Sequence, residues 1–438
     1  MGYLFYHNAH TVALRLGSQS SVELPVAALV LATLGLGAAL ILTGGALRSS
    51  ASSVVGWRQR QRERRLQALL RVREDGHRWL WSGDLDAATR ALARYVEQNP
   101  HDVDAVLALA NTYDERGELE AERRLLETER AVVGSEARLL HQLGRLALKR
   151  GNAGAAIDWL REAVQQHPES PRLLGELTAA LAAEGRFAEA VSIAQRQVAA
   201  ERQPARRDEA IQNLTALRYR AAESDPDAAS GDRALRRLLG ESPDFVPTVL
   251  LLASRARAAG DTRRAERLYR DAIRRRPRGV LLERLTALHA ASGQVERALP
   301  ILRDACSANH LAGPRLALAR ALVHAGKHPA ADAELAELVR DTPAWRSDGI
   351  DVAPERDLVA GELALARAQD REAATLLGRA ATGGHRPFAY ACPRCARVWS
   401  EWRDQCRCGA YGTLDWVVDA TPAAPGRAGT EPVAAAGA

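Results

Sequence analysis

The sequence predicts an all-α repeat array with an apolar helix before it and a small metal-binding knuckle at its end. Three observations predict it: glycines at a fixed interval, a composition dominated by Ala, Leu and Arg, and four cysteines within a short C-terminal stretch. Of 438 residues, 47% are hydrophobic but only 5% aromatic. Ala, Leu and Arg are strong helix formers, whereas strands draw on aromatic and β-branched residues. The net charge is +6 and is carried almost wholly by Arg, since Lys149 and Lys327 are the only lysines. So modest a balance permits contact with anionic surfaces and does not call for nucleic acid as a partner.

The glycines set the repeat. Gly83, Gly117, Gly151 and Gly185 fall 34 residues apart, and Gly260, Gly293 and Gly326 fall 33 apart. Five residues after the glycine there is usually Ala, at Ala88, Ala156, Ala190, Ala265, Ala298 and Ala331. Nine after it comes an apolar residue, at Leu92, Leu126, Leu160, Tyr269, Leu302 and Leu335, and seventeen after it often a proline, at Pro100, Pro168, Pro277 and Pro343. Each has a physical reason. The glycine closes the first helix of a pair in a left-handed turn. The small Ala lets the second helix approach the first, the apolar residue continues the buried stripe, and the proline ends the second helix. One such pair cannot bury its apolar face, so pairs must stack.

The pattern resembles the tetratricopeptide repeat. Some eight to nine pairs are expected between about residues 70 and 383, including a degenerate pair that turns at 224–232 and a weak last pair around 362–381. Arrays of this kind bind through a groove lined by first helices. Asn111, Arg145 and Arg320 stand near such positions, although each reads first as a solvated polar residue. The arginines of 263–278 are expected around their helix rather than on one face, and are also read as solvated.

Residues 26–47 form a 22-residue run without a charge, long enough at 1.5 Å per residue to cross the roughly 30 Å hydrocarbon core. A cleavable signal peptide is the alternative, but the run is long for one and holds little charge before it. Arg48, Arg58, Arg60, Arg62, Arg64, Arg65, Arg71 and Arg73 follow, against Arg15 before. The positive-inside rule then places the C-terminal bulk in the cytoplasm, with the arginines against anionic lipid.

Beyond residue 384, Cys392 and Cys395 form C-P-R-C and Cys406 and Cys408 form C-R-C-G. Two close thiol pairs suit tetrahedral Zn²⁺ or Fe, and four thiolates leave no coordination position open for hydrolysis. The second pair is one residue shorter than the usual C-x-x-C. Tyr390, Trp399, Trp402, Tyr411 and Trp416 are expected as a small core around the metal, whose binding would supply the folding energy of so small a unit. Cys306, alone on a repeat helix, reads as a small buried apolar residue. No nucleotide-binding loop, nucleophile elbow or H-E-x-x-H motif is present, so no catalytic residues are assigned and an enzyme is not expected. His324 and His328 have helical spacing but Gly326 lies between them.

An apolar anchor, a tetratricopeptide array and a rubredoxin-like four-cysteine knuckle, in that order, resemble the lipopolysaccharide assembly protein B family. Residues 5–40 also look like the lipopolysaccharide assembly protein A family. The layout implied is a periplasmic N-terminus (1–25), a transmembrane helix (26–47), an Arg-rich juxtamembrane helix (48–75), repeats (76–383), a four-cysteine domain (384–419) and a disordered tail (420–438). The resemblance implies an inner-membrane adaptor of lipopolysaccharide biogenesis. It would present a lipid A biosynthetic enzyme to the membrane protease FtsH, with Cys392, Cys395, Cys406 and Cys408 as metal ligands and a metal domain packed on the repeats. A general envelope scaffold, or an RNA- or lipid-binding module, is the alternative.

Overall fold

The computed structural model of the protein describes residues 10–15, 21–308, 311–340, 352–383 and 385–419. The expected tail (420–438) and the interruption before the last repeat (341–351) lie outside the described residues. The chain forms two compact units, 1–143 and 144–438.

The first unit opens on a hairpin that the all-α reading did not contain. Thr11–Arg15 pairs antiparallel with Ser21–Pro25, with Val12 opposite Leu24 and Leu14 opposite Val22. Strict alternation puts these four on one face, and all four are exposed.

A single helix, Val26–Ser82, follows. This corrects the membrane reading. Among the described residues, no helix is long and apolar enough to cross a membrane. The apolar run is not a separate span but the start of a helix that continues through Arg-rich sequence into the first repeat. Placement in an inner membrane with the bulk of the chain in the cytoplasm therefore does not hold. The side chains of Arg48, Arg58, Arg60, Arg62 and Arg65 lie outside the described residues. Arg73, expected to face lipid, instead pairs with Asp102 at 3.2 Å, and Asp102 also accepts the Tyr95 hydroxyl at 2.8 Å.

The helix ends at Gly83 (φ +81°), where the N–H groups of Gly83 and Asp84 bond back to Leu80 and Trp79. Its last turns pair with Leu85–Gln98, and Gly76 leaves room for Leu92. Val103–Glu115 and Leu119–Val133 form the next pair. There Glu122 occupies the usual Ala position, 1% exposed, and accepts the Gln142 side-chain amide at 2.9 Å.

In the second unit the turn glycines are all left-handed: Gly151, Gly185, Gly260, Gly293 and Gly326. Ala156, Ala190, Ala265, Ala298 and Ala331 have no exposed surface, so each second helix lies close against its partner. Leu160 and Leu302 are likewise fully buried. The degenerate pair is present as Pro204–Glu223 and Ala228–Glu241. The last pair is Ala353–Ala366 and Asp370–Thr382, and its turn holds Ala368 at φ +60° where the regular pairs carry a left-handed glycine. The helix Thr262–Arg275 buries Ala265, Glu266, Tyr269, Ala272 and Ile273. Its exposed Arg263, Arg267, Arg274 and Arg275 therefore share the outward side instead of ringing the helix.

Candidate metal centre

The C-terminal knuckle is built on three two-residue strands. Tyr390–Ala391 pairs antiparallel with Val398–Trp399 on one side and Asp415–Trp416 on the other. The central strand delivers Cys392 to a tight loop: Cys392 N–H donates to Arg397 O at 3.0 Å, and Ala396 N–H donates to Cys392 O at 2.8 Å. The second loop repeats the plan, with Cys406 N–H on Ala410 O at 2.8 Å and Gly409 N–H on Cys406 O at 2.9 Å. Gly409 takes φ +84°, which glycine adopts without strain.

The two loops bring all four thiols together. Cys392 Sγ lies 3.6 Å from Cys408 Sγ, Cys395 Sγ lies 3.6 Å from Cys406 Sγ, and the four sulfurs are within 4.8 Å of one another. Tetrahedral thiolates about 2.3 Å from an ion stand about 3.8 Å apart, whereas a disulfide needs about 2.05 Å. The set therefore fits one tetrahedral ion, and the shortened C-R-C pair reaches it as closely as the other. No metal identity follows, because Zn²⁺ and Fe share this ligand set.

The protons on these sulfurs oppose metal entry. Burial pushes the Cys392 thiol up despite N–H groups of Cys395 and Arg394 that favour its thiolate, and it pushes Cys408 up to about 12. Burial also opposes ionisation of Cys406, but the Cys408 N–H and neighbouring thiols bring it down to about 7. An entering ion would displace protons from the first two, so loading should weaken in acid.

The knuckle is not a free appendage. Some repeat helices carry their own N-cap side chain, such as Asn152, Ser170, Asp227 and Asp261, and others, such as Phe187–Ala200 and Val246–Ala258, have no side-chain cap. The helices Gly279–Ala290 and Ala312–His324 have none. Their caps come from the knuckle. Asp415 Oδ1 accepts Gly279 N–H at 2.8 Å and its Oδ2 accepts Arg278 at 3.1 Å, while Asp419 Oδ1 accepts Gly313 N–H at 2.9 Å. Trp416 lies flat against Gly279, where any Cβ would collide with the indole. Further along, buried Glu355 accepts His385 Nε2 at 2.8 Å and Phe388 N–H at 3.2 Å, and the Tyr390 hydroxyl donates to Glu283 at 2.5 Å.

The aromatics expected around the metal thus divide their work. Tyr390 and Trp416 join the repeat core together with Cys392 and Cys406. Tyr411 stacks on Phe245 at 6.1 Å, at the start of one repeat helix, and meets Tyr219 at 5.9 Å, on another. Of the groove candidates, Arg320 makes a two-pronged pair with Glu362 (2.7 and 3.0 Å) and lies over Phe388. Arg145 is half-buried, and Asn111 accepts a side-chain amide from Gln142 at 3.3 Å. Cys306 is half-buried against the repeat core, and burial pushes its thiol up to about 12. His324 ends one helix and His328 begins the next. The two capping aspartates went unread in the sequence. They stand as an i, i+4 pair (D-W-V-V-D), a spacing that by itself does not tell a capping carboxylate from a solvated one.

Fold and site together define a tetratricopeptide-type helical-repeat protein carrying a four-cysteine knuckle. The tetratricopeptide repeat family model matches residues 147–218. Among solved structures, the chain is similar to a crystal structure of MamA protein, at 18% identity over 41% of this chain and 93% of that one, with a TM-score of 0.33. It is similar also to residues 41 to the end of MamA from Desulfovibrio magneticus RS-1, at 14% identity over 39% and 93%, with a TM-score of 0.32. At these scores the likeness carries no functional argument. No curated protein matches.

Proposed function

We propose that this chain is a non-enzymatic adaptor whose repeats hold partner proteins and whose knuckle, with Zn²⁺ or Fe on Cys392, Cys395, Cys406 and Cys408, is a structural clamp. Tetratricopeptide arrays are protein-interaction scaffolds, which supports the first half. The observation that carries the second is the pair of caps given by Asp415 and Asp419 to consecutive first helices, Gly279–Ala290 and Ala312–His324. A closed Cys₄ shell has no position for a substrate, so the ion's contribution is to hold the two loops.

The finer reading rests on the resemblance to the lipopolysaccharide assembly protein B family. On it, the client is a lipid A biosynthetic enzyme and the second partner is the protease FtsH. Tagged protein should then co-purify with both, and depletion should raise the level of the committed-step deacetylase. An unchanged deacetylase level would remove the protease link and leave a general scaffold. A Cys392→Ser variant that keeps its partners and its melting temperature would refute the clamp.

A further inference from the structure

Resting on the clamp reading, we infer that the four cysteines are also an oxidative modification site. Peroxide there joins Cys392 to Cys408 and Cys395 to Cys406, and so replaces the ion with two covalent ties between the same loops. The pairing follows from which sulfurs meet. The two thiol contacts of 3.6 Å both cross from one loop to the other. They are nested, the outer cysteines together and the inner cysteines together. A disulfide needs about 2.05 Å, so each pair has to close by only about 1.5 Å. Pairing within a loop is geometrically poorer, since Cys406 and Cys408 would close a ring on the single residue Arg407, and it would leave the two loops untied.

Burial divides the labour within each pair. Cys395 is exposed and Cys408 half-buried, whereas Cys392 and Cys406 are 1% and 2% exposed. Each contact therefore joins an accessible thiol to a buried one. Redox-sensing cysteines share this arrangement, an accessible sulfur poised beside a resolving thiol. The accessible sulfur attacks one peroxide oxygen; the O–O bond breaks, water leaves, and a sulfenic acid remains. The buried thiol then attacks that sulfur; the S–O bond breaks, the S–S bond forms and a second water leaves. Two thiols thus give two electrons to one peroxide. A resolving thiol already in contact reacts before a second peroxide arrives, which guards the sulfur against over-oxidation. With both pairs closed, no thiolate is left to hold an ion. Cys306, on the helix Leu299–Ala308, is outside the cluster and should stay a thiol.

The test uses the full chain loaded with Zn²⁺, which has no redox chemistry of its own, and hydrogen peroxide. After the peroxide is quenched, the chain is denatured in EDTA and alkylated. Free thiols should fall from the five present to Cys306 alone, with the zinc recovered in solution. Trypsin cuts after Arg394, Arg397, Arg403 and Arg407 and places each clustered cysteine on its own peptide, so mass spectrometry reads the connectivity directly. The links expected are Cys392–Cys408 and Cys395–Cys406, and dithiothreitol with Zn²⁺ should restore the loaded form. Five retained thiols, links within a loop, or sulfonic acids in place of disulfides overturn the assignment. The oxidised chain should also melt above the reduced chain stripped with EDTA; equal melting overturns the replacement of the ion by the two ties. If stripping the reduced chain leaves its melting temperature unchanged, the clamp reading itself fails, while the connectivity still decides the modification.

Discussion

At the scale of single residues, backbone conformation makes the sharpest statements. Seven turns of the array are left-handed at glycine, from Gly83 to Gly326, and the equivalent turn of the last pair is left-handed at Ala368. An L-residue there carries a strain of roughly 1–2 kcal/mol that glycine lacks. Ala368→Gly should therefore stabilise the second unit by about 1 kcal/mol, less the entropy glycine costs, and Gly260→Ala should destabilise it by about 1 kcal/mol. Urea midpoints of the two variants should move in opposite directions. Leu160 presses on Gly144 from the next helix of its pair, and Leu160→Ala should cost about 2–5 kcal/mol by the same measurement.

Pairs of elements decide the behaviour of the knuckle. Asp419 is buried beside Asp415, and burial followed by that neighbour raises its carboxyl from 3.8 to about 7. The folded state then holds this proton more tightly than the unfolded chain does. The stability it contributes is full below about pH 4 and is lost as pH rises towards 7. Asp415 and Glu355, both raised by burial, act with the same sign. With metal kept saturating, the stability of the second unit should fall between pH 5.5 and 7.5, and Asp419→Asn should flatten that slope. A slope of the opposite sign would mean that proton competition at the cysteines dominates. Asp415→Ala should cost about 2–3 kcal/mol, because it uncaps Gly279 and strands Arg278 in the interface.

Across the whole molecule, the consequence of the clamp is locality. Chelation should expose 385–419 first, together with the starts of the helices Gly279–Ala290 and Ala312–His324. The repeats matched at 147–218 take no cap from the knuckle, and two of their helices are capped by Asn152 and Ser170, so they should keep their protection. Hydrogen exchange with and without chelator reads this directly; uniform loss across all repeats would show that the array depends on the metal globally.

How much of this was legible in the sequence follows from the range of the interactions. The turn glycines, the buried Ala and Leu positions and the cysteine pairs were readable because each answers to a local rule: one backbone turn, one helix period, one ligand spacing. A companion series was readable but missed. Gly76, Ala110 and Gly144 also recur every 34 residues, and Gly76 and Gly144 make room for Leu92 and Leu160. The hairpin at 11–25 was likewise written in the alternation of TVALR and SVELP, but two five-residue strands are too short to announce themselves against a helical background. The expected membrane span was lost for a different reason. Hydropathy reads a run of residues, whereas the fold carries that run into a longer helix that has no boundary at residue 47. Which side of the knuckle faces the repeats was beyond the sequence altogether. Asp415 caps a helix that begins 136 residues earlier in the chain, and no local preference distinguishes such a carboxylate from a solvated one. Sequence alone determined the repeat and its cysteines, because both are periodic or clustered. Only the tertiary structure decided how the knuckle packs on the repeats, because that choice is made by two helix starts meeting carboxylates from more than a hundred residues away.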